Sequence, residues 1–175
     1  DEGELPEEVK HLATILLDQV TNLGEQIGQL EKQIRQRSLA DGAIKRLMTI
    51  PGIGPIAATV ITTFAPPSET FSKGRDFAAW VGLTPRQHST GGKERLGKTS
   101  KMGQRDIRRL LITGAMAVVR WAARKGAPEG TWLARMLSRK PRMLVAVALA
   151  NRMARVAWAL LCKEEDDKGP AVVAA

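Results

Sequence analysis

The sequence predicts a mainly α protein: a long coiled-coil helix followed by a compact helical domain that contains a helix-hairpin-helix motif. Three observations predict it. Apolar residues recur in steps of three and four from Pro6 to about Arg37, short amphipathic segments bounded by Pro and Gly follow Gly42, and no convincing set of alternating strand-like runs occurs. At 175 residues the chain has room for one domain of ordinary size, or for a smaller domain with a helical arm.

The arm comes first. Val9, Leu12, Leu16, Val20, Leu23, Ile27, Leu30 and Ile34 form a coiled-coil seam with one stutter, and Glu, Gln, Lys and Asn fill the positions between them. So long and narrow a seam requires a second helix. It predicts a homo-oligomer formed through the coiled coil, and an intramolecular hairpin satisfies the same pattern. Asp41-Gly42 breaks the repeat, so the arm occupies residues 1–40 and the compact domain residues 41–163.

Within that domain, 43–49 and 56–63 read as two short helices joined by Ile50-Pro51-Gly52-Ile53-Gly54-Pro55, and Pro66-Pro67 ends the second. Phe77, Ala78, Trp80 and Val81 make a short amphipathic helix, although 79–83 has strand-like composition too. Residues 84–99 have the Gly, Arg, Lys and Ser content of a loop. A long helix resumes over 101–125, with Ile107, Leu110, Leu111, Gly114, Ala115, Val118 and Trp121 on one stripe, until Gly126-Ala127-Pro128 stops it. Helices over 132–138 and 142–161 complete the domain. The tail, 164–175, is acidic and then apolar and is expected to be disordered.

Charge is distributed unevenly. The net charge is +9, but 21 lysines and arginines against five acids lie between Gly42 and Cys162, a local excess of +16. Such an excess is costly in self-repulsion unless a polyanion relieves it, and nucleic acid is the commonest partner of that kind. The single cysteine, Cys162, excludes an internal disulfide, and His11 and His88 lie too far apart to suggest metal ligands. No uninterrupted apolar run reaches the roughly 18 residues of a membrane span, and no secretory leader opens the sequence. These features predict a cytoplasmic protein with no membrane partner. The start at Asp1 rather than Met suggests a piece of a longer chain.

Two segments carry chemistry. The run Leu47-Met48-Thr49-Ile50-Pro51-Gly52-Ile53-Gly54-Pro55-Ile56-Ala57-Ala58 looks like a helix-hairpin-helix motif over 43–63. Gly52 and Gly54 would allow a tight turn with positive φ and leave room for a phosphate, Ile53 would plug between the helices, and Pro55 suits the first helical position. The exposed N–H groups would then face DNA backbone without reading sequence. The second segment, 84–101, gathers Arg86, His88, Ser89, Thr90, Lys93, Arg95, Lys98, Ser100 and Lys101 in one glycine-rich loop, and Arg105, Arg108 and Arg109 follow as further cations for DNA. Phosphoryl transfer to a serine needs an accessible hydroxyl, cations to neutralise developing charge and a group to receive the proton. Spacing alone does not single out Ser89. A solvated basic loop that binds phosphates without chemistry accounts for the same residues.

The stretch from Ile50 to Leu111 closely resembles insertion-sequence transposases of the IS-one-ten type, the bridge-RNA-guided serine recombinases. Three motifs carry the likeness: Ile50-Pro51-Gly52-Ile53-Gly54-Pro55, then Phe77-Ala78-Ala79-Trp80-Val81-Gly82-Leu83-Thr84-Pro85-Arg86-Gln87-His88-Ser89-Thr90-Gly91-Gly92-Lys93, then Ser100-Lys101-Met102-Gly103-Gln104-Arg105-Asp106-Ile107-Arg108-Arg109-Leu110-Leu111. The resemblance implies a C-terminal transposase domain preceded by a coiled coil. By motif match it implies that Ser89 is the nucleophile that forms a phosphoserine link to DNA, with Thr90 the weaker candidate; the chemistry of the loop then makes Arg86, Lys93 and Arg95 the expected phosphate-holding support, and His88 either a proton acceptor or a plain hydrogen-bonding loop residue. It also implies DNA and a guide (bridge) RNA as partners, and Mg²⁺ held by four acidic residues of an N-terminal domain that this chain lacks, leaving no cofactor or metal site here. The contrasting readings are a non-catalytic helix-hairpin-helix DNA-binding module and a coiled-coil assembly protein with incidental charge.

Overall fold

A computed structural model describes residues 6–88 and 95–163. The described elements are α1 (Glu7–Ser38), α2 (Gly42–Met48), α3 (Pro55–Phe64), a single 3-10 turn (Ser68–Thr70), α4 (Gly74–Trp80), β1 (Pro85–Gln87), β2 (Leu96–Thr99), α5 (Arg105–Lys125), α6 (Trp132–Leu137) and α7 (Arg142–Lys163). The chain is mainly α, as its sequence predicts.

Helix α1 carries Glu7 and Glu8 in its first turn and Arg35 and Arg37 in its last, charges that complement the helix dipole. Among the described residues its seam meets nothing over most of its length: Leu12, Leu16, Val20, Leu23, Ile27 and Leu30 are all exposed. The C-terminal end of α1 joins the domain, where Ser38 is buried and its hydroxyl donates to the Arg35 carbonyl at 2.7 Å, and α1 packs against α3. The Asp41 side chain accepts from the Ile44 N–H at 3.0 Å and caps α2, an interaction worth about 1 kcal/mol, so arm and domain are separated by a defined cap.

Helix α7 is the spine of the domain. It packs against α5 and α4 above all, and also against α2 and α6. Its buried face is built from Val145, Ala146, Leu149, Ala150, Met153, Ala154, Ala157 and Leu160, and the alanines let neighbouring helices approach closely. By length and hydropathy α7 would suffice to cross a membrane, yet this face is taken up by the core, and Asn151, Arg152 and Arg155 interrupt the rest of its surface. Facing it, α5 contributes Ile107, Leu111, Ala115, Val119 and Ala122. The expected stripe shares Ile107, Leu111 and Ala115 with this face, and its Leu110 and Val118 are half-buried against the core, but it ends on Trp121. Trp121 is exposed, because steps of four residues from Ile107 to Val119 and then three to Ala122 carry the core-facing line past it. Phe71, Phe77 and Trp80 close the α4 end, with ring centroids 5.3 to 5.8 Å apart.

The structure departs from expectation most clearly over 84–99. Residues read as loop form a two-stranded antiparallel ribbon, β1 with β2. Helix α5 accordingly starts at Arg105 rather than at Lys101, because Lys101 and Gly103, with φ of 55° and 103°, turn the chain out of the ribbon before the helix can begin. A lone two-stranded ribbon is marginal in water, so its stability depends on how its base is held.

Candidate nucleic-acid interface

The base of the β-hairpin is fixed by two glycines. A β-carbon on Gly82 would run into the Met102 carbonyl oxygen, and one on Gly103 into that of Trp80, so the two backbones cross at a distance that no other residue allows. Both residues have positive φ, 80° and 103°. Side chains complete the clamp. Arg108 Nη1 donates to the Val81 carbonyl at 2.9 Å, and Asn151 Nδ2 donates to that of Leu83 at 3.3 Å, tying α5 and α7 to the point where the ribbon leaves α4. The Gln104 and Lys101 N–H groups donate to the Trp80 and Gly82 carbonyls, both at 3.2 Å.

Along the ribbon, Pro85 pairs with Thr99 and Gln87 with Leu96, so Arg86 stands opposite both Gly97 and Lys98 in a bulge. The His88 ring lies over Gly97, where a β-carbon would come within 2.6 Å of its Cδ2 and 2.7 Å of its Nε2. The His88 N–H donates to the Arg95 carbonyl at 2.8 Å. Ser89, Thr90 and Lys93 lie outside the described residues. Their neighbours His88 and Arg95 are both exposed and joined by that hydrogen bond, and Arg86, Lys98 and Lys101 are exposed on the same ribbon or at its exit. Arg86 Nη2 also reaches the Ser100 carbonyl, at 3.3 Å. Arg105 and Arg109 are exposed at the start of α5, whereas Arg108 is half-buried with Nη1 on Val81. The structure thus separates three arginines that are alike in sequence.

The helical turn behaves differently from the sequence argument. Gly52 has the expected positive φ, 92°, but Gly54 does not, at −94°. The room beside Gly52 is already occupied: a β-carbon there would lie 2.7 Å from the Gly114 carbonyl oxygen of α5. Ile53 is buried in the core, and the adjoining groove of about 400 Å³ is lined by Pro51, Val118, Trp121, Pro128 and Leu133, an apolar surface. Gly54, by contrast, has open space where a β-carbon would stand, and Pro55 occupies the first turn of α3 as expected.

Among the described residues no group of three or more His, Cys, Asp or Glu side chains clusters as metal ligands would, so these residues do not fit a Mg²⁺ site of their own. Sequence reasoning missed one basic cleft altogether, between α4 and α7, where Lys73, Arg75, Arg152 and Arg155 meet Trp132 and Trp158. The available signal was a pair of arginines three residues apart on an otherwise apolar helix.

A helical core that presents a cationic β-hairpin on a glycine-locked base is here the core of a transposase domain: residues 44–128, from α2 to just past α5, match the family model described as Transposase IS116/IS110/IS902 family. The chain belongs to that family. It is 48% identical over 160 residues to the "Probable family 20 transposase" of Pseudomonas aeruginosa, an alignment that covers 91% of this chain and 47% of the relative. It is 38% identical to the "Transposase for insertion sequence element IS1328" of Yersinia enterocolitica, over 90% of this chain and 47% of that protein. It is 34% identical to the "Transposase for insertion sequence element IS1111A" of Coxiella burnetii, over 90% of this chain and 43% of that protein. The chain therefore spans about half the length of the curated relatives it matches.

Proposed function

We propose that this chain is the part of an insertion-sequence transposase that grips nucleic acid and supplies Ser89 as the nucleophile for DNA strand exchange. One observation carries the proposal: Ser89 directly follows His88, whose backbone is bonded to Arg95 on a ribbon studded with Arg86, Arg95 and Lys98 and locked at its base by Gly82, Gly103, Arg108 and Asn151. A hydroxyl in a segment that leaves so firmly held a scaffold, flanked in the described ribbon by Arg86, Arg95 and Lys98, suits attack on a phosphodiester.

In that step the Ser89 oxygen bonds to phosphorus as the bond from phosphorus to a deoxyribose oxygen breaks. The serine proton passes to a base, and the departing oxygen takes up a proton. The phosphoserine keeps the phosphodiester's energy, so the reverse attack by another strand's hydroxyl rejoins DNA without a further energy source. Arg86, Arg95 and Lys93 hold and neutralise the phosphate. DNA and a guide RNA are the partners on this reading, copies of the chain associate through α1, and the remaining half of the full-length protein supplies the metal-binding carboxylates. The chain alone binds nucleic acid and does not recombine it.

The backbone-clamp role of the helical turn narrows to Gly54 and the first turn of α3, since packing against Gly114 accounts for Gly52. The test of the proposal is denaturing electrophoresis of labelled DNA after reaction with the full-length protein, guide RNA and Mg²⁺, followed by peptide mapping. An adduct that maps to Ser89 and vanishes in Ser89→Ala is expected. One that persists in the variant, or maps to Thr90 or Ser100, refutes the assignment.

A further inference from the structure

The cleft between α4 and α7 has a volume of about 740 Å³ and is lined by Lys73, Arg75, Arg152 and Arg155, with no acidic side chain among the described residues of its walls. Its construction is specific. Gly74 is buried against α7, where a β-carbon would lie 2.9 Å from the Arg155 carbonyl oxygen and 3.2 Å from Trp158 Cε3. That close approach brings Lys73 and Arg75, on either side of Gly74, up to arginines more than 75 residues away in sequence. Both tryptophans are held in place: Trp158 Nε1 donates to the Ser68 carbonyl at 3.0 Å, and the Arg152 guanidinium sits 5.7 Å from the Trp132 ring centroid. Gathering like charges around a concave wall raises the folded state's self-repulsion, and a polyanion relieves it.

The cleft also continues toward the β-hairpin. A second groove, about 810 Å³, lies between β2 and the start of α7, and the two share Ala148 and Asn151 as lining residues. Asn151 is the residue that holds the hairpin base through the Leu83 carbonyl. From Leu144 in one groove to Arg155 in the other, α7 rises about 16 Å at 1.5 Å per residue. At 3.4 Å per nucleotide that is about five stacked nucleotides of one strand.

We propose that this trough is a binding path for a single nucleic-acid strand that continues from the hairpin, with its phosphodiesters on Lys73, Arg75 and Arg155 and its unpaired bases against Trp132 and Trp158. The proposal rests on the reading that the hairpin engages nucleic acid. Cations tracking a backbone beside aromatic walls bind single strands with little sequence preference, which suits a protein whose sequence choice lies elsewhere. DNA and RNA share this backbone chemistry.

The test compares the full chain with two variants, Lys73→Gln/Arg75→Gln/Arg155→Gln in the cleft and Arg86→Gln/Lys98→Gln on the ribbon, in salt titrations against labelled single-stranded DNA and RNA of one sequence and against the corresponding DNA duplex. Circular dichroism melts confirm that both variants fold. The cleft variant is expected to bind about tenfold more weakly near physiological salt, with a salt slope shallower by about 2, since three phosphates go unneutralised at about 0.7 each. Equal weakening on DNA and RNA assigns the cleft to the shared backbone, and weakening on one alone identifies the strand it takes. Unchanged affinity and slope in the cleft variant, with weakened binding in the ribbon variant, would overturn the path and leave the hairpin reading intact. Weakened binding in the cleft variant alone would sink the hairpin reading and, with it, a path that continues from the hairpin. A folded cleft variant that loses only duplex binding also overturns the proposal.

Discussion

The Gly52 backbone of the helical turn rests directly on the Gly114 backbone of α5, so close that a β-carbon on Gly114 would overlap the Gly52 carbonyl oxygen. A glycine in the interior of a 21-residue helix ordinarily costs about 1 kcal/mol relative to alanine, so replacing it should stabilise the helix unless steric overlap forbids it. Gly114→Ala is therefore expected to destabilise the domain by about 1–3 kcal/mol, measured by urea denaturation, because two backbones must separate. A neutral or stabilising result would show that the turn does not sit on α5.

Gly54 offers the complementary test. Its φ of −94° suits any residue, and nothing lies within 4 Å of the position a β-carbon would take. Because Gly54 is the N-cap of α3 and valine is a poor cap, Gly54→Val should cost about 1 kcal/mol without unfolding the domain, and lower affinity for duplex DNA if α3 meets a phosphate. The expected signature is weaker binding without altered sequence preference, read by competition with unrelated duplexes. Unchanged affinity would make the whole helical turn a packing device.

The three arginines of the first turns of α5 should separate by their roles. Arg108→Ala removes the donor to Val81 and is expected to cost about 1.5–3 kcal/mol of stability, the usual worth of a hydrogen bond from a charged group. Arg105→Ala and Arg109→Ala, at exposed positions, should hardly alter the melt yet flatten the salt dependence of duplex binding by about 0.9 for each phosphate left unneutralised. Equal effects of all three on stability would contradict the clamp at the ribbon base.

Much of this was legible in the sequence, for physical reasons that differ by element. The α1 seam, the break at Asp41-Gly42 and the Pro55 start of α3 are local signals, and each lies at or within a residue of its expected place. The ribbon of β1 and β2 was not legible, because Pro85, Gly97 and three exposed cations carry no alternating apolar pattern, and its base is held by Arg108 and Asn151, which reach it from distant helices. Tertiary packing also decided the role of Gly52. The sequence allowed a phosphate beside it, and α5 filled the space. The cleft of Lys73 and Arg155 escaped notice because only the burial of Gly74 brings its two halves together.

The exposed seam of α1 leads to a prediction about assembly. Leu12, Leu16, Val20, Leu23, Ile27 and Leu30 are exposed along one helix, and each apolar side chain of this size gains about 1.5–3 kcal/mol when fully buried. Leu23→Lys/Ile27→Lys should lower the mass seen by sedimentation from that of an oligomer to that of a single chain. An identical mass for both proteins would mean that the seam does not join copies of this chain.

His88 poses the last question, whether the histidine beside the proposed nucleophile acts in proton transfer or only shapes the ribbon. Its imidazole lies on Gly97 of the opposing strand, and its main-chain N–H reaches Arg95, so its described interactions serve the ribbon's geometry. A positioned general base contributes about 10²–10⁴-fold to a proton-transfer step, whereas a ring that only packs contributes through placement alone. In the full-length protein with guide RNA and Mg²⁺, His88→Gln is therefore expected to slow the rate of covalent adduct formation by less than about tenfold, and to leave its pH profile between 5 and 8, the span in which an ordinary imidazole titrates, unchanged in shape. Gly97→Ala should slow it comparably, since a β-carbon there displaces the same ring. A drop of about 10² or more in His88→Gln, with an imidazole-like limb disappearing from the pH profile while Gly97→Ala stays near normal, would instead make His88 the base that receives the Ser89 proton.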